Sequence, residues 1–124
     1  MEKTEQKKIL IVEDDQPLAH ILQLQLKSRG FEVHTETYGR KALNYAAENP
    51  VDLVILDLKL PDLDGYEVCK ELRRLYNPWA LPVLMLTGLN EPIDQLRGFA
   101  HGADAYLTKP CEPEELEKTI GLLL

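Results

Sequence analysis

The sequence predicts an α/β fold, a doubly wound parallel sheet of three layers with helices on both faces. Short apolar runs alternate with amphipathic stretches along the chain, and the connections between them are short. Strands and helices that alternate in this way form parallel strands through right-handed crossovers. The predicted strands are residues 8–13, 31–35, 52–57, 82–87 and 105–108.

The composition of each strand indicates its place in the sheet. The first, third and fourth are nearly continuous apolar runs, which is typical of strands covered on both faces. The second alternates at Phe31, Val33 and Thr35, which predicts an edge strand.

Helical periodicity fills the stretches between the strands. The apolar positions at helical spacing are Leu18, Ile21, Leu22 and Leu26 in the first helix and Val68, Leu72 and Leu75 in the third. The expected boundaries are Gly30 after the first helix, Asp64-Gly65 and Asn77-Pro78 around the third, Gly102 after the fourth, and Glu114 and Glu115 in the first turn of a fifth that runs into Leu124.

Composition restricts the class of protein. A chain of 124 residues is one domain, large enough to bury a core without disulfides or a metal. Its apolar runs are too short to span a membrane, its start is too polar for a secretory signal, and its two cysteines form no disulfide framework. We therefore expect a cytoplasmic protein with no membrane partner.

The net charge of −7 argues against nucleic acid as a direct partner of this domain, because binding to phosphate backbones depends on clustered Lys and Arg. We interpret the small basic cluster at Lys70, Arg73 and Arg74 as a solvated helix face.

Polar side chains follow four of the predicted strands, at the sheet edge where open parallel sheets bind ligands. They are Glu13, Asp14 and Asp15 after the first strand, Asp57 at the end of the third, Thr87 and Gly88 at the fourth, and Lys109 and Pro110 after the fifth. Each has an ordinary structural explanation by itself, such as Asp15 as a helix N-cap, but together they predict a site.

The crowded carboxylates predict a cation site. They repel one another, so at least one should have a raised pKa when no metal is bound. A divalent hard cation such as Mg²⁺ removes that conflict, and it is typically held by one or two carboxylates together with a phosphate.

Asp57 is the natural nucleophile, because a rigid buried strand presents its carboxylate. A carboxylate can attack a phosphoryl group and form an acyl phosphate. Lys109 would neutralise one phosphoryl oxygen, the Thr87 hydroxyl would donate to another, and Gly88 would leave room for the group.

These residues carry a resemblance over the whole chain to the receiver domain of bacterial two-component response regulators. It rests on five motifs in order and spacing: Ile9-Leu10-Ile11-Val12-Glu13-Asp14-Asp15, Asp57, Leu60-Pro61-Asp62-Leu63-Asp64-Gly65, Leu86-Thr87-Gly88, and the run from Gly102 to Pro110. The resemblance implies a flavodoxin-like (βα)5 sheet with strand order 2-1-3-4-5 for residues 1–124.

The resemblance also implies a function. Asp57 would accept a phosphoryl group from a sensor histidine kinase or a phosphotransfer protein, and the domain would catalyse only its own phosphorylation and dephosphorylation. The implied Mg²⁺ ligands are Glu13, Asp14, Asp57 and the backbone carbonyl of Lys59. Thr87 and Tyr106 would be the switch pair that alters the surface of the fourth helix, fifth strand and fifth helix, and Lys109-Pro110 a cis bond.

Several positions depart from the family pattern. Cys111 stands where a Phe is usual, and we interpret it as a small, buried and inert hydrophobe. Ala105 in place of a frequent Asp, and an acidic fifth helix, argue against the pairing mode of DNA-binding regulators, although a phosphorylation-dependent homodimer stays open. Leu89 could hinder water, which predicts slow loss of phosphate.

Other functions and longer architectures remain as alternatives. A phosphohydrolase would need a second carboxylate where Lys59 stands, and a flavin or nucleotide carrier would need a Gly-rich or Ser/Thr-rich loop in place of residues 13–15. A pseudo-receiver that acts only as an interaction module stays open. Because the chain stops at Leu122-Leu123-Leu124 without a polar tail, excision from a longer protein with a C-terminal effector domain is also an expectation.

Overall fold

The computed structural model describes residues 6–76 and 81–124, which form a parallel sheet of five strands with five helices. The elements are β1 Lys8–Val12, α1 Gln16–Ser28, β2 Glu32–Glu36, α2 Gly39–Glu48, β3 Leu53–Leu56, α3 Gly65–Leu75, β4 Val83–Thr87, α4 Pro92–Ala100, β5 Ala105–Thr108 and α5 Pro113–Leu123. The strand order β2-β1-β3-β4-β5 and the parallel pairing confirm the predicted fold class.

The core consists of two apolar layers, one on each face of the sheet. Ile9 and Ile11 of β1 pack with residues of α1 and α5, whereas Leu10 and Val12 pack with residues of α2 and α3. All four are at most 1% exposed. Because successive side chains of a strand point to opposite faces, a strand covered on both faces must be apolar throughout, which explains the continuous runs.

Most predicted boundaries are confirmed. β2 lies at the edge of the sheet, Gly30 follows α1 with φ +92°, and Gly102 follows α4 with φ +105°. Asp15 and Asp64 cap α1 and α3 by accepting hydrogen bonds from Leu18 N and Tyr66 N. The predicted stop at Asn77-Pro78 lies outside the described residues.

Two of the predicted apolar helix positions do not face the core. Ile21 of α1 is 60% exposed and Leu75 of α3 is 50% exposed. Successive residues of a helix point about 100° apart, so Ile21 is rotated away from the face that buries Leu22 and Leu26. Leu75 ends α3.

The interpretation of the basic cluster as a solvated face is wrong for Arg73. Its side chain is only 13% exposed, and its guanidinium donates to Leu81 O at 2.5 Å, to Gly102 O at 2.6 Å and to Asp104 Oδ2 at 2.6 Å. The last turn of α3 places this side chain next to the segment before β4 and the turn before β5. Lys70 and Arg74 remain exposed.

Among the described residues, no helix combines the length and apolarity that crossing a membrane requires.

Candidate functional site

The sheet brings the predicted polar residues to one edge. Val12 of β1 pairs with Leu56 of β3. The residues that follow them, Glu13 and Asp57, therefore lie next to each other at the carboxyl ends of these two strands. At the neighbouring strands Thr87 pairs with Thr108, and Lys109 N donates to Thr87 O at 2.8 Å. The Lys109–Pro110 bond is cis, as the resemblance implied.

A lysine connects two buried carboxylates at this edge. Lys109 Nζ donates to Glu13 Oε1 at 2.5 Å and to Asp57 Oδ2 at 3.1 Å. Glu13 is 3% exposed and Asp57 6%, whereas Asp14 is exposed to solvent. Glu13, Asp14 and Asp57 each offer a carboxylate oxygen, and these oxygens lie within 4.8 Å of one another.

The electrostatics of the site are unbalanced. Burial raises the pKa of Glu13 to about 7, and the neighbouring Asp57 adds to the rise although the Lys109 ammonium opposes it. Burial opposes the charge of Lys109, but its bond to Glu13 and the charge of Asp57 outweigh this and raise the pKa of Lys109. The prediction that one crowded carboxyl group has a raised pKa is therefore confirmed.

The donor set fits a divalent hard cation. Among the described residues the Lys109 ammonium group contacts Glu13 and Asp57, and Asp14 adds a third carboxylate nearby, so this one positive charge does not neutralise them. Carboxylate oxygens are the ligands that Mg²⁺ and Ca²⁺ prefer. Lys59, whose carbonyl is the fourth predicted ligand, follows Asp57 by two residues, and its N–H lies 3.4 Å from Asp57 Oδ1.

Thr87 and Tyr106 are joined through the backbone of Leu89. The Leu89 N–H lies 3.4 Å from Thr87 Oγ1, and the Tyr106 hydroxyl donates to Leu89 O at 2.8 Å. Thr87 is fully buried, and burial raises the pKa of Tyr106 to about 12. The Thr87 hydroxyl at the end of β4 and the Tyr106 ring against α4 are therefore connected through the backbone of Leu89, a connection that the sequence did not predict.

Two further positions can be compared with their predictions. A Cβ atom on Gly88 would meet nothing within 4 Å, so this residue borders open space. Cys111, in the loop between β5 and α5, is half-buried rather than buried and packs against the core. Burial raises the pKa of the Cys111 thiol, which disfavours the reactive thiolate.

The fold and this arrangement define a class of protein, the doubly wound parallel-sheet domains with an acidic site at the carboxyl ends of their strands. A sequence profile of the response regulator receiver domain matches residues 9–121. The chain therefore belongs to the response regulator receiver family and is the receiver domain of a two-component response regulator.

Individual relatives agree with this assignment. The alkaline phosphatase synthesis transcriptional regulatory protein PhoP of Bacillus subtilis (strain 168) is 42% identical over 118 residues, which are 95% of this chain and 48% of the relative. The chain thus spans about half the length of that protein.

Solved structures agree as well. The chemotaxis response regulator CheY4 of Vibrio cholerae superposes with a TM-score of 0.89 at 34% identity, covering 97% of this chain and 100% of that one. A two-component response regulator from Clostridium difficile gives a TM-score of 0.90 at 29% identity and covers 95% of both chains.

Proposed function

We propose that this domain is a phospho-acceptor in which Asp57 takes a phosphoryl group from a phosphohistidine in a Mg²⁺-dependent reaction. The observation that carries the proposal is the buried Asp57 carboxylate, held by Lys109 beside Glu13 and Asp14. A rigid strand end presents this nucleophile, so little reorganisation is needed before attack.

The proposed step is an in-line displacement. An Asp57 carboxylate oxygen attacks phosphorus, the new O–P bond forms, the P–N bond to the donor imidazole breaks, and the imidazole nitrogen keeps the bonding electron pair. Lys109 neutralises one phosphoryl oxygen and the Thr87 hydroxyl donates to another. Glu13, Asp14, Asp57 and the Lys59 carbonyl would hold Mg²⁺, which would supply further positive charge for the phosphoryl oxygens.

The proposed switch uses Thr87 and Tyr106. If the Thr87 hydroxyl turns toward a phosphoryl group, its contact with Leu89 N changes, and Leu89 O is the acceptor of the Tyr106 hydroxyl. The ring of Tyr106 lies against Gly98 of α4, because a Cβ there would come within 2.8 Å of it. Phosphorylation at Asp57 would thereby bias the surface formed by α4, β5 and α5.

The proposed partners follow from this chemistry. The donor is a sensor histidine kinase or a phosphotransfer protein in the cytoplasm, and the recipient of the signal is an effector domain or protein. The Bacillus subtilis relative is named a transcriptional regulatory protein, so an effector that controls transcription is one form of this proposal. The domain itself would bind neither nucleic acid nor membrane, and a phosphorylation-dependent homodimer is a further proposal.

Two alternatives compete with this function. A phosphohydrolase with an aspartyl intermediate would need a general acid where Lys59 stands. A pseudo-receiver would use the fold only for interaction, and it would have no use for a buried nucleophile bonded to a lysine.

Phosphorylation with a small-molecule phosphodonor tests the proposal. The protein is incubated with acetyl phosphate and Mg²⁺, and the adduct is located by mass spectrometry of the peptides. We expect one phosphoryl group on Asp57, none without Mg²⁺, and none on Asp57→Asn. The matched control is Asp52→Asn, a change at the opposite edge of the sheet, which should label as the wild type does. Absence of an adduct in the wild type would contradict the proposal, and hydrolytic turnover of the donor at a constant high rate would favour the phosphohydrolase.

A further inference from the structure

The N-terminus of α2 is capped by a residue from a distant segment. Tyr38, at the N-cap position, provides no side-chain hydrogen bond. Instead Asp62, in the loop between β3 and α3, accepts from Gly39 N at 2.8 Å and from Arg40 N at 3.0 Å, one bond to each carboxylate oxygen. Asp62 thus satisfies two of the N–H groups that a helix start leaves without partners.

The loop that carries Asp62 also carries the predicted metal-ligating carbonyl. It begins directly after Asp57 and is closed at its base. There Gly65 N donates to Leu58 O at 2.8 Å, and the backbones of Lys59 and Asp64 form an isolated antiparallel β-bridge. Closure is tight, because a Cβ on Gly65 would come within 2.5 Å of the Asp57 carbonyl oxygen. Away from this base, Asp62 attaches the loop to α2 through its two hydrogen bonds.

The exposed Asp62 carboxylate lies beside a tightly packed contact between α2 and the loop. A Cβ atom on Gly39 would come within 2.8 Å of Val68 Cγ2 and 3.1 Å of Leu63 Cβ, so the start of α2 is packed against this loop and α3. The contact is also charge-assisted. Burial opposes the charge of Asp62, but the N–H groups of Arg40 and Gly39, together with those of Asp62 and Leu63 in the loop itself, outweigh it and lower the pKa of this carboxyl group.

We propose that Asp62 is a positioning residue for the cation site, which couples the N-terminus of α2 to the loop of Lys59 so that Mg²⁺ binding and capping of α2 stabilise each other. The proposal rests on the Mg²⁺ site of the proposed function. A tethered loop holds the Lys59 carbonyl at a fixed distance from Asp57, whereas a released loop must be ordered when the cation binds. By linkage, the cation must then protect the Gly39 and Arg40 amides to the same extent.

The test compares two aspartates that make the same kind of contact. Asp62→Ala removes the tether at the cation edge, and Asp52→Ala removes a carboxylate that accepts from Lys8 N at 2.8 Å at the opposite edge of the sheet. Mg²⁺ affinity is measured by titration calorimetry, and hydrogen exchange of the Gly39 and Arg40 amides is measured with and without Mg²⁺. Asp62→Asn, which keeps only one acceptor oxygen, is the milder variant.

We expect Asp62→Ala to weaken Mg²⁺ binding roughly tenfold, the lower end of what residues that orient metal ligands contribute. Asp62→Asn should lie between it and the wild type, and Asp52→Ala should bind Mg²⁺ as the wild type does. In the wild type Mg²⁺ should slow exchange at both amides. Wild-type affinity in both Asp62 variants, or exchange at Gly39 and Arg40 that ignores Mg²⁺, would overturn this proposal alone. A wild-type protein that binds no Mg²⁺ would overturn the proposed function together with it.

Discussion

Two charged clusters lie at opposite ends of the strands of the same sheet, and they differ in how far their charges are neutralised. At the edge where the strands begin, Arg73 gives its hydrogen bonds to Leu81 O, Gly102 O and Asp104, and Asp104 also accepts from Val83 N at 2.8 Å. At the edge where the strands end, Glu13 and Asp57 share the Lys109 ammonium group, and the carboxylate of Asp14 lies close to both. The first cluster is complete in itself. The second has an excess of negative charge, which is typical of a site that takes its last charge from outside.

The largest expected effect is the loss of Lys109. Lys109→Met removes the only ammonium group that contacts Glu13 and Asp57 in the described part of the chain. We expect the rate of phosphorylation by acetyl phosphate to fall roughly 100-fold or more, because charge stabilisation of the phosphoryl oxygens is lost. The rate is measured by mass spectrometry against time, and Lys70→Met on the exposed part of α3 is the control. Equal rates for both variants would contradict the role of Lys109.

The second effect is a pH dependence of stability that belongs to Glu13. The pKa of Glu13 is raised by burial from 4.5 to about 7 in the folded protein, so the folded state binds more protons than the unfolded state between these values. The contribution of Glu13 to the free energy of unfolding is therefore expected to fall as pH rises from 4.5 to 7, by up to about 3 kcal/mol.

Urea denaturation of the wild type and of Glu13→Gln without Mg²⁺, from about pH 4.5 to about pH 8, isolates this contribution. The variant should gain stability relative to the wild type as pH rises, and saturating Mg²⁺ should abolish the difference in slope. Parallel curves for the two proteins would mean that the negative charge at this edge is already balanced, and the contrast with the Arg73 cluster would disappear.

The third effect concerns the balanced cluster. Arg73→Ala leaves the Leu81 and Gly102 carbonyls and the Asp104 carboxylate without their donor, and we expect a loss of about 2 kcal/mol in the free energy of unfolding. Mg²⁺ affinity should not change, since the proposed cation site lies at the carboxyl ends of the strands, away from Arg73. Arg74→Ala, whose side chain is 73% exposed, should cost less than about 0.5 kcal/mol. A change in Mg²⁺ affinity for Arg73→Ala would refute the separation of the two clusters.

The contrast between the clusters also separates what the sequence could predict from what it could not. Strand ends that carry acids, a hydroxyl and an ammonium group follow from strand order alone, so the sequence was enough to assign Glu13, Asp57, Thr87 and Lys109 to one edge. Arg73 could not be assigned in this way, because two of its partners are backbone carbonyls, and every residue has one. Helical periodicity predicts which face of the helix a side chain lies on, but it does not predict which loop packs against that face.

The same limit explains Asp62 and Leu89. Asp62 stands in a motif whose turn-forming residues account for it locally, and its bond to the start of α2 depends on how two segments pack. Leu89 connects Thr87 to Tyr106 through its backbone N–H and carbonyl groups. Other residue types have the same groups, so the identity of residue 89 does not predict this connection. Contacts made by side-chain chemistry at strand ends were predictable, whereas contacts made by the backbone depend on tertiary packing that no local pattern encodes.

The smallest expected effect lies within the unbalanced edge itself. Leu89 follows Thr87 by two residues and its side chain is half-buried against the core, where we expect it to limit access of water to a phosphoryl group on Asp57. A phosphorylated wild type should persist for minutes or longer, and Leu89→Ala should shorten this lifetime several-fold while leaving Mg²⁺ affinity unchanged. The decay of phosphoprotein is followed after removal of acetyl phosphate, with Leu96→Ala on the exposed face of α4 as the control. A half-life of seconds in the wild type would show that Leu89 does not shield the site, and the reactivity of the edge would then be set by its charges alone.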